Sequence, residues 1–469
     1  MNPLNTTLEF DVTLYGNGST TEFTRFQNNI QSIFNRVRLL YGATPLEDII
    51  NYNVIVRALT EWTATNQHMT MDQTSIAEGI GGCVLATDST PVFGVVNTRQ
   101  KYIHGISTST GAGTAFTAGA NFGTVPQATD VPSGVVGNTT TGVTRRYQIN
   151  FALGLFTQDK LIPTKFMASQ LAIEISLEQA AACIYSGGIT SATATPTYGV
   201  GNVNLIPEIL EFDASYDSMF LAGLRDGGVP IKFSSWHTFI FSSGTGSNVN
   251  LLVQERSRSV KALFAVQRRA QPSFAYDSHA TFFDTSDSGA STLQNYQFRI
   301  GGRYFPASPV QCSSNVGSAI SNGGAEAFVE LTKALNIVGD YRLSSTCNTS
   351  KWALQNTSSG LLQEYDYSVA LKSIGANGVV VTAGIEGSAN SFCGALGSQC
   401  FAMAADLETS NGVEISGLNA EEQSDIALIA NWKSQQQTGI SRVASSLEVY
   451  SYYDAMIVLR ENNVLELIQ

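Results

Sequence analysis

Apolar and polar residues alternate from the start of the chain: Leu8, Phe10, Val12 and Leu14 are separated by Glu9, Asp11 and Thr13. A period of two is that of a half-buried strand, which the Gly16-Asn17-Gly18 turn should end. The period then changes. Phe23, Phe26, Ile30, Ile33, Phe34, Val37 and Leu40 fall at helical spacing, with Thr20 or Thr21 placed to cap the start. After Gly42 and Pro45, residues Leu46, Ile49, Ile50, Val54, Ile55 and Leu59 repeat that spacing. The pattern therefore predicts a helical pair at about 22–64, inserted after the first strand.

Farther on, residues 80–145 are dense in Gly, Thr, Ser and Ala and read as short strands joined by long loops, most exposed over 105–140. Tyr147 to Leu155 reads as a strand. Leu171, Ile173, Ile175 and Leu177 alternate with Ala172, Glu174, Ser176 and Glu178, the cleanest strand pattern in the chain. Residues 186–202 are small, polar and broken by Gly and Pro, as a linker would be. A strand over Val203–Phe212, a short helix over 213–224, strands at Ile231–Phe241 and Val260–Val266, a helix at Ala325–Asn336 and a strand-like tail at Leu447–Leu467 follow. Many short strands with frequent turns define an all-β sandwich or barrel class. The restart of a strand-then-helix order after 186–202 divides the chain into residues 1–194 and 195–469.

Composition agrees with large cores. Hydrophobic residues make up 43% of the 469 and charged ones 14%, which excludes disorder. The net charge of −12 and pI of about 4.9 argue against a protein that grips nucleic acid through phosphates. The opening MNPLNTTLEF lacks a basic n-region and an apolar h-region, and no apolar run reaches about 18 residues, so neither a signal peptide nor a membrane helix is expected. Six cysteines without a CxxC pair suit free thiols.

Catalytic motifs are missing: there is no Gly-Lys dipeptide for a phosphate loop, no GxSxG and no HExxH. The four histidines lie at least 36 residues apart, and His237, on an apolar strand face, reads as a hydrogen-bonded core or interface histidine. Adjacent acids such as Glu47-Asp48 and Glu421-Glu422 read as solvated pairs. No cofactor or metal is expected, and no enzymatic activity. One basic cluster stands out: Arg256, Arg258, Lys261, Arg268 and Arg269 fall within fourteen residues. In an acidic chain, Arg256, Arg258 and Lys261 are candidates for contact with a neighbouring subunit, against the plainer reading of a solvated strand with ion-paired ends.

Several segments resemble double jelly-roll major capsid proteins. RRYQINFALGLFTQDKLIPTKFMASQLAIEISLE (145–178) resembles the end of a first barrel, and NVNLIPEILEFDASYDSMFLAGL (202–224) the opening of a second. QERSRSVKALFAV (254–266), YQFRIGGRYFPASPVQ (296–311) and RVRLLYGATPLEDIINY (36–52) are similar to segments of capsid proteins from polinton-like viruses and virophages. The resemblance implies two eight-stranded barrels side by side, a pseudo-hexameric homotrimer, and an icosahedral virion shell around double-stranded DNA. Its partners would be further copies, penton proteins and minor capsid proteins, with no catalytic residues to transfer and assembly inside the host cell. The rival readings are a jelly-roll viral adhesin or carbohydrate-binding structural protein, and a carbohydrate-active enzyme on a β-sandwich. An adhesin should carry a secretion signal or shaft repeat, and the enzyme needs paired carboxylates across a cleft.

Overall fold

Strand β1 (Asn2–Tyr15) forms where the alternation places it, with Leu8, Phe10, Val12 and Leu14 buried. The structure is a computed structural model that describes residues 1–15, 23–26, 30–63, 82–85, 99–102, 105–107, 143–186, 196–243, 246–269, 293–312, 325–337, 373–374, 380–381, 401–408, 415–421, 425–432, 445–460 and 465–469. Most of the 105–140 stretch, the Thr20/Thr21 cap and the Gly16–Gly18 turn lie outside these residues.

The helical pair expected at 22–64 is not there. In its place stand β2 (Phe23–Phe26), a 3-10 turn at Ile30–Ile33, β3 (Phe34–Tyr41) and β4 (Thr44–Ile50), and among the described residues of this stretch only Tyr52–Thr63 is an α-helix. The reason is a register shift at Phe34/Arg36, where β3 pairs with β9 (Leu171–Leu177). An extra residue there spaces the buried Phe34 and Val37 three apart, which imitates a helical turn in sequence. Between them the strand period persists: Val37 and Leu39 point inward, while Arg36 bonds Asp48 on β4 and Arg38 bonds Glu174 on β9.

Three strands organise the first half. β1 lies between β8 (Val143–Ile149) and β11 (Thr197–Glu208), β2 between β7 (Gly105–Ser107) and β10 (Ile184–Ser186), and β3 between β4 and β9, all antiparallel. β5 (Gly82–Leu85) and β6 (Arg99–Tyr102) form a separate hairpin. The pairs β1–β11, β2–β10 and β3–β9 are nested, as in an antiparallel ribbon folded back on itself. β8 ends at Ile149, short of the expected Leu155, and Gly154–Thr157 is a helical turn. The strand expected to open the second half is β11, and it pairs with β1 from Tyr15↔Thr197 to Asn2↔Glu208. Residues 197–208 thus join the first half's sheet, not a barrel beginning at 195.

In the second half come β12 (Val229–Ser243), β13 (Asn248–Val253), β14 (Val260–Arg269), β15 (Leu293–Ile300), β16 (Arg303–Gln311), the short β17 (Ser373–Ile374) and β18 (Val380–Val381), then β19 (Met403–Asp406), β20 (Ile426–Trp432), β21 (Ser445–Leu459) and β22 (Leu465–Ile468). One sheet runs β12-β21-β14-β19, with β22 added to β21, and the other β13-β20-β15-β16. Apart from the β17–β18 hairpin and β22, the chain order is 1-8-3-6 in one sheet and 2-7-4-5 in the other. That is the winding of an eight-stranded jelly roll. The chain is all-β, with this winding complete in the second half and its nested order present in the first.

The halves meet through β4 and β12. Glu47 of β4 is fully buried and accepts from the N–H of Gly154 (2.7 Å) and Leu155 (2.8 Å) and from Ser235 Oγ of β12 (2.6 Å). Burial raises its pKa despite these three bonds. Thr238 Oγ1 of β12 donates to Ile50 O (2.9 Å), and Trp62 of the first-half helix stacks on Phe264 of β14 with ring centres 5.4 Å apart.

Candidate subunit interface

Between β13 and β14 the chain makes a fixed turn around one buried carboxylate. Glu255 Oε1 accepts from the N–H of Arg256 (2.8 Å), the N–H of Ser257 (2.9 Å) and Ser257 Oγ (2.6 Å). Its other oxygen lies 3.2 Å from His237 Nδ1 on β12, and the His237 ring stacks on Tyr453 with centres 4.0 Å apart. Glu255 thus ties the end of β13 to β12. Burial alone would raise its pKa, but the hydrogen bond and charge of His237 and the bond from Ser257 outweigh it, holding the group at about 2 from its usual 4.5. A carboxylate whose folded pKa is depressed stabilises the fold above its unfolded pKa and loses that contribution as pH falls through the folded value. Glu255 should therefore add about 3 kcal/mol above pH 4.5, lost as pH falls toward 2. Urea titrations of Glu255→Gln should show a flatter stability curve over that window; a curve parallel to the parent's rejects the assignment.

Arg256 and Arg258 project from this turn into solvent, each flanked by buried Glu255, Ser257 and Ser259. They stand in the connection before β14, not on a strand. Arg258 pairs with Glu421 at 2.8 Å, both side chains exposed, a contact worth at most about 1 kcal/mol. Lys261 does not join them. It sits 3.5 Å from Glu408 and 3.7 Å from Asp454, with its ammonium 5.6 Å from the Tyr452 ring centre, engaged within its own subunit. Arg268 is buried against Glu448 (2.6 Å), whose other oxygen takes a short hydrogen bond from Tyr450. So the sequence cluster divides into two exposed arginines and two internally bonded cations, while the side chain of Arg269 lies outside the described residues.

A second surface was not marked by its chemistry in sequence. Beyond Gly201 the strand β11 is exposed on both faces, and so is the chain leading into the helix Ala214–Arg225, which Asp213 caps through Tyr216 N. Val203, Leu205, Ile206, Ile209, Leu210, Phe212, Met219 and Leu221 are between 42 and 65% exposed. Leu205 lies opposite the buried Leu8 of β1, so it shares the inward face of the sheet, yet β11 is the edge of that sheet and Leu205 is left 45% exposed. A long apolar edge strand with open hydrogen-bonding groups is a surface built for pairing or for a partner. The sequence signal was the adjacent pairs Leu205-Ile206 and Ile209-Leu210, which put apolar side chains on both faces at once. Glu211, Asp213 and Asp226 give this surface an acidic margin.

Among the described residues no group of three or more His, Cys, Asp or Glu is placed to hold a metal ion, and Cys183 and Cys312 are buried thiols. No described helix is long and apolar enough to cross a membrane.

No family model matches this chain, and no curated protein does. Among solved structures it is similar to PBCV-1 VP54 as fitted into a reconstruction of the virophage Sputnik, at a TM-score of 0.45 and 10% identity over 99% of this chain and 90% of that one. It is similar to the Faustovirus major capsid protein, at 0.43 and 8% over 97% and 85%. It is similar as well to the mavirus major capsid protein, at 0.44 and 10% over 98% of this chain and 83% of that one.

Proposed function

We propose that this chain is the major capsid protein of an icosahedral double-stranded DNA virus, a structural subunit with no catalytic role. In this reading three copies form a pseudo-hexameric block and the blocks tile the virion shell, meeting penton and minor capsid proteins at its special positions. The two barrels would be residues 1–194 and 195–469, with the strand at 197–208 returned to the first barrel by its pairing with β1. The exposed Arg256 and Arg258 serve subunit contact, and Lys261 serves its own subunit. The acidic total charge keeps the shell from gripping the genome directly.

The observation that carries this reading is the apolar edge at Val203–Phe212 on a jelly-roll chain. A subunit meant to stay alone would hide or charge that edge; one meant to assemble would bury it in a large, apolar, symmetric interface. Light scattering on the purified chain should give a trimer at three times 50.2 kDa. The contact per subunit pair should exceed about 2,000 Å². A stable, folded monomer at micromolar concentration overturns the proposal.

A further inference from the structure

A cavity of about 390 Å³ lies where the two halves meet. Leu59 and Thr157 line it from the first half, and Trp236 of β12, Phe264 of β14 and Tyr452 of β21 from the second. Trp236 is the central ring, its centre 4.6 Å from that of Tyr452 and 5.6 Å from that of Phe264. A space of this volume, set between two domains and walled by aromatic rings, has the dimensions of a small-molecule site.

Two charged side chains reach the same cavity, Lys261 and Glu408. The Glu408 side chain is only 9% exposed. Its Oε1 takes a short hydrogen bond from Ser416 Oγ and stands 3.5 Å from Lys261 Nζ, whereas nothing among the described residues donates to its Oε2. A carboxylate oxygen so sheltered is a strong acceptor left open. Lys261 does not neutralise the site, because it also serves Asp454 at 3.7 Å, so two carboxylates share one ammonium. Burial alone would lower the Lys261 pKa, but Asp454, Tyr452 and Glu408 raise it, as a negative surplus should. The helix Ala325–Ala334 adds to that surplus: its C-terminal end, the negative pole of its dipole, forms the wall at Ala334 and Leu335.

We infer that this cavity binds a small organic cation, a primary amine on a flat apolar body, with its ammonium at Glu408 Oε2 and its body against Trp236 and Tyr452. The surplus charge disfavours an organic anion, which would meet Glu408 while Lys261 is already engaged. Ring faces attract an ammonium, and more strongly away from water. A ligand held here touches both halves and stabilises their junction by mass action. The inference goes beyond the capsid reading and stands or falls apart from it.

The test is calorimetric titration of the full chain with three ligands that share one body: phenethylamine, phenethyl alcohol and phenylacetate. Phenethylamine should bind about tenfold tighter than the alcohol and raise the thermal unfolding midpoint, and phenylacetate should bind weakest. Glu408→Gln keeps the shape of the site and should remove the preference for the amine. Lys261→Met frees both carboxylates and should tighten amine binding, the opposite of what an anion site on Lys261 predicts. Ala334→Phe fills the cavity and should abolish binding of all three ligands. The inference is overturned if phenethylamine does not bind, if the three ligands bind equally, if phenylacetate binds tightest, or if Glu408→Gln changes nothing. Should Lys261→Met or Ala334→Phe lose the parent's circular dichroism, the three-ligand comparison and Glu408→Gln decide alone.

Discussion

Gly154→Ala should lose about 3–4 kcal/mol of stability, because the glycine lies where backbone meets backbone. A Cβ at this position would collide with the carbonyl oxygen of Ser234 on β12, and would stand 2.7 Å from that carbonyl carbon and 2.9 Å from Phe233 Cδ2. A flexible side chain could turn away, but a strand held by a full register to β21 cannot. Gly154 N also donates to buried Glu47, so moving it strains the bonds that join the halves. Phe233→Ala in the same background should not rescue, since it relieves only the ring contact. Gly199→Ala, with nothing within 4 Å of its added carbon, supplies the control and should change stability by less than about 0.5 kcal/mol. Chemical unfolding with dissociation monitored separately will decide; a Gly154→Ala protein as stable as the control refutes the steric account.

The buried pair Arg268–Glu448 should be the other costly site. Arg268 Nε and a terminal nitrogen reach the same Glu448 oxygen at 2.8 and 2.6 Å, both side chains are buried, and Tyr450 bonds the second oxygen. Glu448→Ala deprives a buried guanidinium of its carboxylate, with an expected loss of about 3–5 kcal/mol. Replacing both members, Arg268→Met with Glu448→Leu, should cost far less, because no buried charge remains and the volume is roughly kept. Comparable losses in the single and double variants would mean that packing, not charge, sets the energetics there.

Where a strand's own residues keep a period of two with one side turned toward the core, they announce it. Leu8 to Leu14, buried, and Leu171 to Ile175, half-buried, are of this kind, and the helix after Asp213 was readable because its cap and its apolar positions are local. β3 was misread because the shift at Phe34/Arg36 broke the period of two and left apolar residues three apart. Glu255 could not be identified from its neighbours in sequence: its value comes from His237, eighteen residues away on another strand, and from the N–H groups of its own turn. Lys261 and Arg256 look alike in a basic run, yet two acids 147 and 193 residues later draw one inward and leave the other exposed. The apolar edge was written in Leu205-Ile206 and Ile209-Leu210, but its exposure depends on β11 being the last strand of its sheet, which is a property of topology.

The pairing of β1 with β11 also orders events during synthesis. The first strand to leave the ribosome must wait for residues 197–208 before its outer neighbour exists. At roughly 5–20 residues per second that interval is on the order of 10–40 s. β8 can flank β1 sooner, but the other side of Phe10 and Val12 stays open until translation has delivered residues 197–208. The same delay recurs for β12, whose partner β21 is among the last segments made. A nascent polypeptide with two such waiting strands is vulnerable to mispairing with its neighbours on a polysome, and rapid production would sharpen its demand for chaperones.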